Sequence, residues 1–359
     1  MRLILLVDMD YFFVACEELR RPDIKGKPAV VGSDPRPTGG RGVVMTANYP
    51  ARKFGLRSGM PLSLAYRIKK DTIYMPEDFE YYEQVSRKVM DLIKKYADRF
   101  EQVSIDEAFA DVSVRAKSYE DALALAARLK KEMKEELGLP CSIGVSTNKL
   151  VAKMASEDAK PNGIKLVKEA DAKEFLSGKR VGDLYGVGKK MGKVLEGFGY
   201  KTIGDLAKAN PVVLVERFKS YGAELHNSAN GIDESEVQEN WEVKSIGRER
   251  TFARDTSDRE EVARLFGGMS KEVGEELGKQ GLAFKVVTIK LRYADFEEVL
   301  KSRSLTHRSV DPEEISRVAI QLFDRYAERG EELRKIGVRV SNLVKYRGQK
   351  SMKEYAAGG

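Results

Sequence analysis

A multidomain α+β protein is predicted, on three observations. Hydrophobic periodicity spells two β-α-β-β-α-β strings, one in each half of the chain. A Pro/Gly-rich stretch interrupts the first string, and a Gly-punctuated helical stretch separates the two. At 359 residues the chain is too long for one ordinary core, and at 42% hydrophobic content it is too apolar to be disordered.

The elements follow in order. Residues 2–8 are a continuous apolar run ended by an acid, which reads as a buried strand. Six of the 11 prolines lie between Pro22 and Pro61, together with Gly39-Gly40-Arg41-Gly42. Few long elements can form there, so a small irregular subdomain is expected, inserted after the first strand and helix. Phe79, Tyr82, Val85, Val89, Leu92 and Tyr96 recur at helical spacing over 77–97. Strands at 100–105 and 108–113 flank Ile105-Asp106-Glu107, and a helix (118–137), a strand (141–146), a helix (148–158) and a strand (164–167) follow. Without the insertion this is the ferredoxin-like arrangement, with a helix added before its last strand. Residues 170–231 read as helical, and the acidic, patternless 232–243 as a linker. The second string is strand 244–253, helix 258–279, strands 285–293 and 297–306, helix 311–329 and strand 335–343, before a loose polar tail.

Composition excludes several classes. Cys16 and Cys141, with His226 and His307, are too few for a disulfide scaffold or a Cys/His zinc site. The run Leu3–Val7 is too short for a signal-peptide core or a membrane span. A soluble, intracellular protein without a membrane partner is expected. The net charge of +7 hints only weakly at a polyanion.

Asp8 and Asp10 close the first strand, and Asp106-Glu107 occupy the turn between two others. If those strands are neighbours, their carboxylates converge at one sheet edge. Such hard oxygen donors suit Mg²⁺, and two ions about 3.5–4 Å apart can activate an attacking oxygen and stabilise a leaving one. Asp-Glu recurs at 233–234, so on spacing alone an ordinary surface pair outweighs the metal reading.

The surrounding words decide between them. Val7-Asp8-Met9-Asp10-Tyr11-Phe12-Phe13, Thr46-Ala47-Asn48-Tyr49-Pro50-Ala51-Arg52, Ser104-Ile105-Asp106-Glu107-Ala108 and Lys160-Pro161-Asn162-Gly163 occur in order. Together they resemble the Y-family DNA polymerases of the DinB or DNA polymerase IV branch, from Leu3 to about Val344. The resemblance implies a palm (1–18 and 76–168), inserted fingers (19–75), a helix-hairpin-helix thumb (169–231), the linker, a little finger (244–347) and a flexible tail (348–359). Asp8, Asp106 and Glu107 become the catalytic carboxylates holding two Mg²⁺, with the Met9 carbonyl as a further ligand and Asp10 as a structural neighbour. The implied reaction is in-line attack of a primer 3′-hydroxyl on the α-phosphate of a dNTP, releasing pyrophosphate. Phe12, Phe13, Tyr49, Arg52 and Lys160 are implied at the nucleotide, Phe13 as the aromatic that rejects a 2′-hydroxyl. Met45 and Gly59 are implied at the base-pair pocket. Locally, Pro50 is a good first helical residue that puts Arg52 in the first turn, and the turn after Lys160 can present its ammonium outward.

Tyr185-Gly186-Val187-Gly188-Lys189-Lys190-Met191-Gly192 resembles a helix-hairpin-helix. Gly186 and Gly188 would admit a DNA phosphate to backbone N–H groups, with Lys189 and Lys190 adding charge. From 244 onward the chain holds 24 Lys and Arg against 19 Asp and Glu. Val287, Ile289 and Leu291 alternate with Lys290 and Arg292; Ile336, Val338 and Val340 alternate with Arg339; Arg248, Arg250 and Arg254 share one phase. One cationic sheet face tracking a DNA backbone is expected, with salt-dependent, sequence-tolerant binding.

Gln321-Leu322-Phe323 looks like part of a sliding-clamp peptide but falls inside an amphipathic helix, and Lys350 to Gly359 has no clamp motif. The expected partners are primer-template DNA and dNTP, with a clamp left open, and the chain is read as a monomer of the cytoplasm, associated with the nucleoid. Low fidelity without proofreading is expected. The alternatives are a palm-fold nucleotidyl cyclase and a catalytically silent DNA-binding protein; the latter conflicts with the presence of all three carboxylates.

Overall fold

The computed structural model describes residues 1–38, 40–239, 242–327 and 331–346. The tail, and with it the reading of its missing clamp motif, lies outside them. Two compact units divide at Asn240 and Trp241.

The first unit opens with β1 (Ile4–Met9) and α1 (Phe12–Arg20). The insertion then supplies β2 (Ala29–Val31), α2 (Pro35–Thr38), β3 (Thr46–Ala47), α3 (Tyr49–Arg52), α4 (Leu62–Ile68) and β4 (Ile73–Met75). Its proline-rich sequence yields short elements, as expected. They build a three-stranded sheet, β3-β2-β4, which periodicity did not reveal because no strand exceeds three residues.

The main chain of the unit resumes with α5 (Phe79–Tyr96), β5 (Arg99–Gln102), β6 (Glu107–Asp111), α6 (Tyr119–Leu137), β7 (Cys141–Ser146), α7 (Lys149–Ala159) and β8 (Ile164–Leu166). The sheet order is β5-β6-β1-β7-β8. β1 lies antiparallel between β6 and β7, the position demanded of a strand buried on both faces. Every residue of β1 is buried; truncating one, as in Leu5→Ala, is expected to cost about 2–5 kcal/mol. Leu3, Leu5 and Val7 face Val89, Leu92, Ala122 and Leu129 of α5 and α6. Ile4, Leu6 and Phe109 face the other way, against Ala152 of α7 and Val237. The element added to the ferredoxin-like unit is α7 together with β8, not a helix before the last strand: β7 completes the antiparallel set and β8 pairs parallel to it at the edge.

Helices α8 (Ala172–Ser177), α9 (Lys189–Gly197), α10 (Ile203–Ala207), α11 (Pro211–Phe218) and α12 (Ser220–Ala229) follow. Their core of Leu176, Leu195, Leu206, Leu214 and Leu225 extends to Leu150, Val151 and Met154 on α7. The segment expected to be a free linker is instead strapped to this unit from 231 to 238. The Asn148 side-chain amide donates to the Gly231 carbonyl (2.9 Å), and the Leu150 amide to the Asp233 carboxylate (2.9 Å). Glu236 pairs with Arg99 (3.0 Å), and Val237 is buried. Asp233 and Glu236 are engaged by separate, distant partners, so no period reveals the docking.

The second unit comprises β9 (Ser245–Thr256), α13 (Arg259–Gln280), β10 (Leu282–Tyr293), β11 (Glu298–Ser309), α14 (Pro312–Tyr326), β12 (Leu333–Ser341) and β13 (Val344–Lys345). The connectivity is as predicted, but the sheet order β11-β10-β12-β9 puts its first strand at an edge. Val287, Ile289, Leu291, Ile336, Val338 and Val340 pack on Phe266, Val273, Ile315 and Leu322 of the two helices.

Candidate active site

The antiparallel register of β1 and β6 sets Asp8 directly opposite Glu107. The turn before Glu107 is held by Ser104, whose hydroxyl donates to Asp106 Oδ1 (2.6 Å) and accepts from the Glu107 amide (3.1 Å). The Ser86 hydroxyl donates to the Ile105 carbonyl (2.5 Å), and the Met9 amide to the Asp106 carbonyl (2.9 Å). Asp8, Asp106 and Glu107 are thus brought to one sheet edge. Met9 has a buried side chain, and its amide is committed to the Asp106 carbonyl.

Sequence reasoning missed Lys153. Its Nζ lies 2.9 Å from Asp8 Oδ2, 2.5 Å from Glu107 Oε2 and 3.2 Å from Glu157 Oε1. The signal was available: Lys149, Lys153 and Glu157 fall on one face of α7 at four-residue spacing. Lys160 also turns inward, 3.0 Å from Asp8 Oδ1 and 2.9 Å from Glu157, rather than outward as expected. The carboxylates draw it in. Burial raises the carboxyl pKa of Asp106 and, despite the Lys153 ammonium, that of Glu107. Burial pulls the Lys153 ammonium down, but Asp8 and Glu107 more than offset it and hold its pKa above the ordinary lysine value.

Asp10 is 1% exposed and saturated with hydrogen bonds: from the Tyr49 hydroxyl (3.0 Å), the Ser142 hydroxyl (3.0 Å) and the Asn162 amide (2.7 Å). Burial, with the Asp10 charge beside it, pushes the Tyr49 phenol well above its usual range. Arg52 donates through Nε to the Ala47 carbonyl (2.8 Å) and lies over the Tyr49 ring, 4.9 Å from its centroid. Asn48, unremarked in the sequence, caps this helix: its Oδ1 accepts from Ala51 (3.1 Å) and Ala29 (3.1 Å), tying α3 to β2.

The Phe12 ring is 1% exposed and packed in the core. Phe13 is half-buried and packs on Tyr82 at 4.9 Å between ring centroids. Met45 is half-buried, while Gly59 is exposed, adopts φ +80° and donates to the Val44 carbonyl (2.8 Å).

The donor set fits a hard divalent cation: three carboxylates and a backbone carbonyl at one edge, two of the acids with pKa values raised by burial. Among the described residues no three acidic, His or Cys side chains are gathered as a preformed metal centre. Lysine ammonium groups lie against the oxygens instead.

Two further surfaces were expected to meet nucleic acid. In the turn before α9, Gly186 adopts φ +87° and Gly188 is the N-cap, with Lys189 and Lys190 exposed in the first helical turn. In the second unit, Lys290, Arg292 and Arg339 do share the open sheet face, where Lys290 and Arg339 line a cavity of about 410 Å³ together with Glu249, Gly337 and Thr288. Arg248 and Arg250 do not. They stand opposite buried Val338 and Ile336, on the helix side of β9, and pair with Glu272 of α13 at 3.4 and 2.7 Å. Ile246 and Phe252, both buried, anchor that phase of the edge strand against the helices. The open face meanwhile carries Glu249 and Glu298, which lie 3.3 and 3.1 Å from Lys290.

The model of the impB/mucB/samB family matches residues 7–157, and that of its C-terminal domain residues 243–353. DNA polymerase IV of Methanoculleus marisnigri is 43% identical over 342 residues, covering 95% of this chain and 94% of the relative. DNA polymerase IV of Lactococcus lactis subsp. cremoris is 40% identical over 343 residues, with the same coverage. A solved Y-family DNA polymerase chimera containing Dbh aligns with TM-score 0.86 at 29% identity, over 95% of this chain and 99% of that one. DinB from Sulfolobus solfataricus aligns with TM-score 0.65 at 28% identity, over 96% and 99%. A mixed α/β unit followed by a separate C-terminal domain is thus the fold of a Y-family polymerase. The chain belongs to the impB/mucB/samB family, on its DNA polymerase IV branch.

Proposed function

We propose that the chain is a template-directed DNA polymerase of the translesion type, taking primer-template DNA and dNTP as substrates. The observation that carries this reading is the register of β1 and β6, which sets Asp8 opposite Glu107 beside Asp106 in a chain whose relatives are DNA polymerases along 95% of its length. The relatives disfavour the cyclase and the silent binding protein.

In this reading the first unit comprises a palm (1–18 and 76–168), fingers (19–75) and a thumb (169–231), and the second is a little finger (244–347). Asp8, Asp106 and Glu107, with the Met9 carbonyl, would hold two Mg²⁺. Bound there, the ions would activate the primer 3′-hydroxyl and neutralise charge on the departing pyrophosphate. The protein's own part is placement. The Ser104 turn keeps Asp106 and Glu107 aimed at one edge. Tyr49, Arg52 and Lys160 would take the triphosphate, with Asp10 fixing the Tyr49 hydroxyl (3.0 Å). Phe13 would stand against the sugar, and Met45 and Gly59 near the nascent base pair. Gly186, Gly188, Lys189 and Lys190 would meet DNA phosphates, as would Lys290, Arg292 and Arg339. No described helix is long and apolar enough to cross a membrane. A cytoplasmic, nucleoid-associated monomer accords with this reading.

Incubation with a primed template and a single dNTP tests it. Extension by one nucleotide across an abasic site, dependent on Mg²⁺ and abolished by Asp106→Ala, is expected. Extension surviving in Asp106→Ala would overturn the site.

A further inference from the structure

α7 lies on the sheet more closely than a side chain in β7 would allow. A Cβ at Gly144 would come within 1.9 Å of the Ala152 carbonyl oxygen. The close approach carries Lys153 between Asp8 and Glu107, with only 14% of its side chain exposed. Glu157 lies beside it at 3.2 Å, half-exposed, and also 2.9 Å from Lys160.

We propose that Lys153 is a positioning residue that acts as a built-in counter-cation. It holds Asp8 and Glu107 side by side while no divalent ion is bound, and competes with such an ion for the same oxygens. The inference rests on the metal reading above. Two carboxylates facing each other across neighbouring strands repel, and an ammonium at hydrogen-bond distance from both offsets that repulsion. A dication entering the edge takes over the same task at higher charge, so the ammonium must yield. Glu157 supplies its destination: a swing toward this exposed acid leaves Lys153 ion-paired while the inner oxygens are released. Lys153 therefore stabilises the metal-free fold and sets the divalent-ion concentration at which the site fills.

The test uses the full-length chain and Mn²⁺ alone, with free Mn²⁺ measured by electron paramagnetic resonance. Lys153→Met is expected to bind Mn²⁺ about tenfold more tightly than the wild type, equivalent to about 1.4 kcal/mol. Its thermal midpoint is expected to fall in EDTA and recover at saturating Mn²⁺. Lys149→Met, which removes a neighbouring, largely buried lysine paired with Glu101, is expected to lower the midpoint while leaving Mn²⁺ affinity unchanged. Unchanged or weaker binding in Lys153→Met, at a wild-type site lost in Asp106→Ala, would overturn the inference. If Lys153→Met does not fold, amine labelling of wild-type Lys153 decides, followed by mass spectrometry: faster modification with Mn²⁺ than in EDTA supports displacement, and equal rates refute it. A wild-type chain whose Mn²⁺ binding is unaffected by Asp106→Ala would overturn the metal assignment itself.

Discussion

Asp8 and Glu107 are direct partners across β1 and β6, and Leu6 and Phe109 are partners one row further along the same face. Glu101 extends that second row through its pairing with Phe109. Two strand residues advance about 7 Å and four helical residues 6 Å, so α7 matches the rows turn by turn. Lys149 meets Glu101 at 2.7 Å, and Lys153 meets the Asp8–Glu107 row at 2.9 and 2.5 Å.

This matching depends on Gly144. Gly144→Ala would push a methyl against the Ala152 carbonyl and the Ser156 amide, at 1.9 and 2.5 Å. Displacement of α7, a stability loss of about 2–3 kcal/mol and reduced primer extension are expected. Urea unfolding and single-nucleotide extension measure the two; a wild-type midpoint would contradict the argument.

The Glu101–Lys149 pair is nearly dry, with side chains 3% and 12% exposed, and Glu101 also accepts from the Gln238 amide (2.9 Å). Glu101→Gln leaves a buried ammonium without its counter-charge, at an expected cost of about 3–5 kcal/mol. Replacing both, as Glu101→Leu with Lys149→Met, is expected to recover most of it. Limited proteolysis offers a second readout, since in the double variant the strap at 231–238 loses the acceptor for its Gln238 amide.

Phe13→Ala is expected to raise ribonucleotide incorporation. Primer extension with dCTP against CTP measures it, and unchanged discrimination would remove Phe13 from the sugar pocket. Loss of its contact with Tyr82 (4.9 Å between centroids) adds an expected stability cost of about 1–3 kcal/mol.

Burial raises the pKa of Asp106, with the Ser104 hydroxyl pulling the other way. A carboxyl whose folded pKa exceeds its unfolded one supports the fold fully below the unfolded value, and that support is lost as pH rises through the folded value. At pH 7 the ionised side chain is therefore a cost to the metal-free fold. Asp106→Asn is expected to raise the thermal midpoint in EDTA at pH 7 by about 2 °C. The gain shrinks toward about pH 4. A lowered midpoint at pH 7 would contradict this.

In the second unit, Arg339→Ala is expected to reduce the salt dependence of DNA binding by about one counterion. Arg250→Ala is expected to change it less, because its guanidinium is engaged by Glu272 at 2.7 Å on the helix side. Fluorescence anisotropy of a primed duplex over a KCl series distinguishes them; equal changes would place both on one face.

Much was legible along the chain. β7 lies at Cys141–Ser146 as predicted, and α6 begins at its Ser118–Asp121 capping box, because periodicity and end signals are local. Sheet order was legible only in part. The continuous apolar run of β1 announces a central strand, and Ile246 and Phe252 separated by Arg and Glu announce an edge. Arg248 and Arg250 share parity with Ile246 and Phe252, and burial of those two apolar anchors, not grouping with other cations, sets the phase of the strand. The docking of 231–238 and the placement of Lys153 were hidden, since each joins residues far apart in sequence through single contacts.

The sequence by itself determined the longer elements, their order along the chain and the family, through local periodicity and four short motifs. The tertiary structure decided which strand lies beside which, which face each cation takes, and that Lys153 fills the gap between Asp8 and Glu107. The reason is register. A β-strand has two faces and no intrinsic preference between neighbours, so pairing across about a hundred residues of chain sets where every charge points.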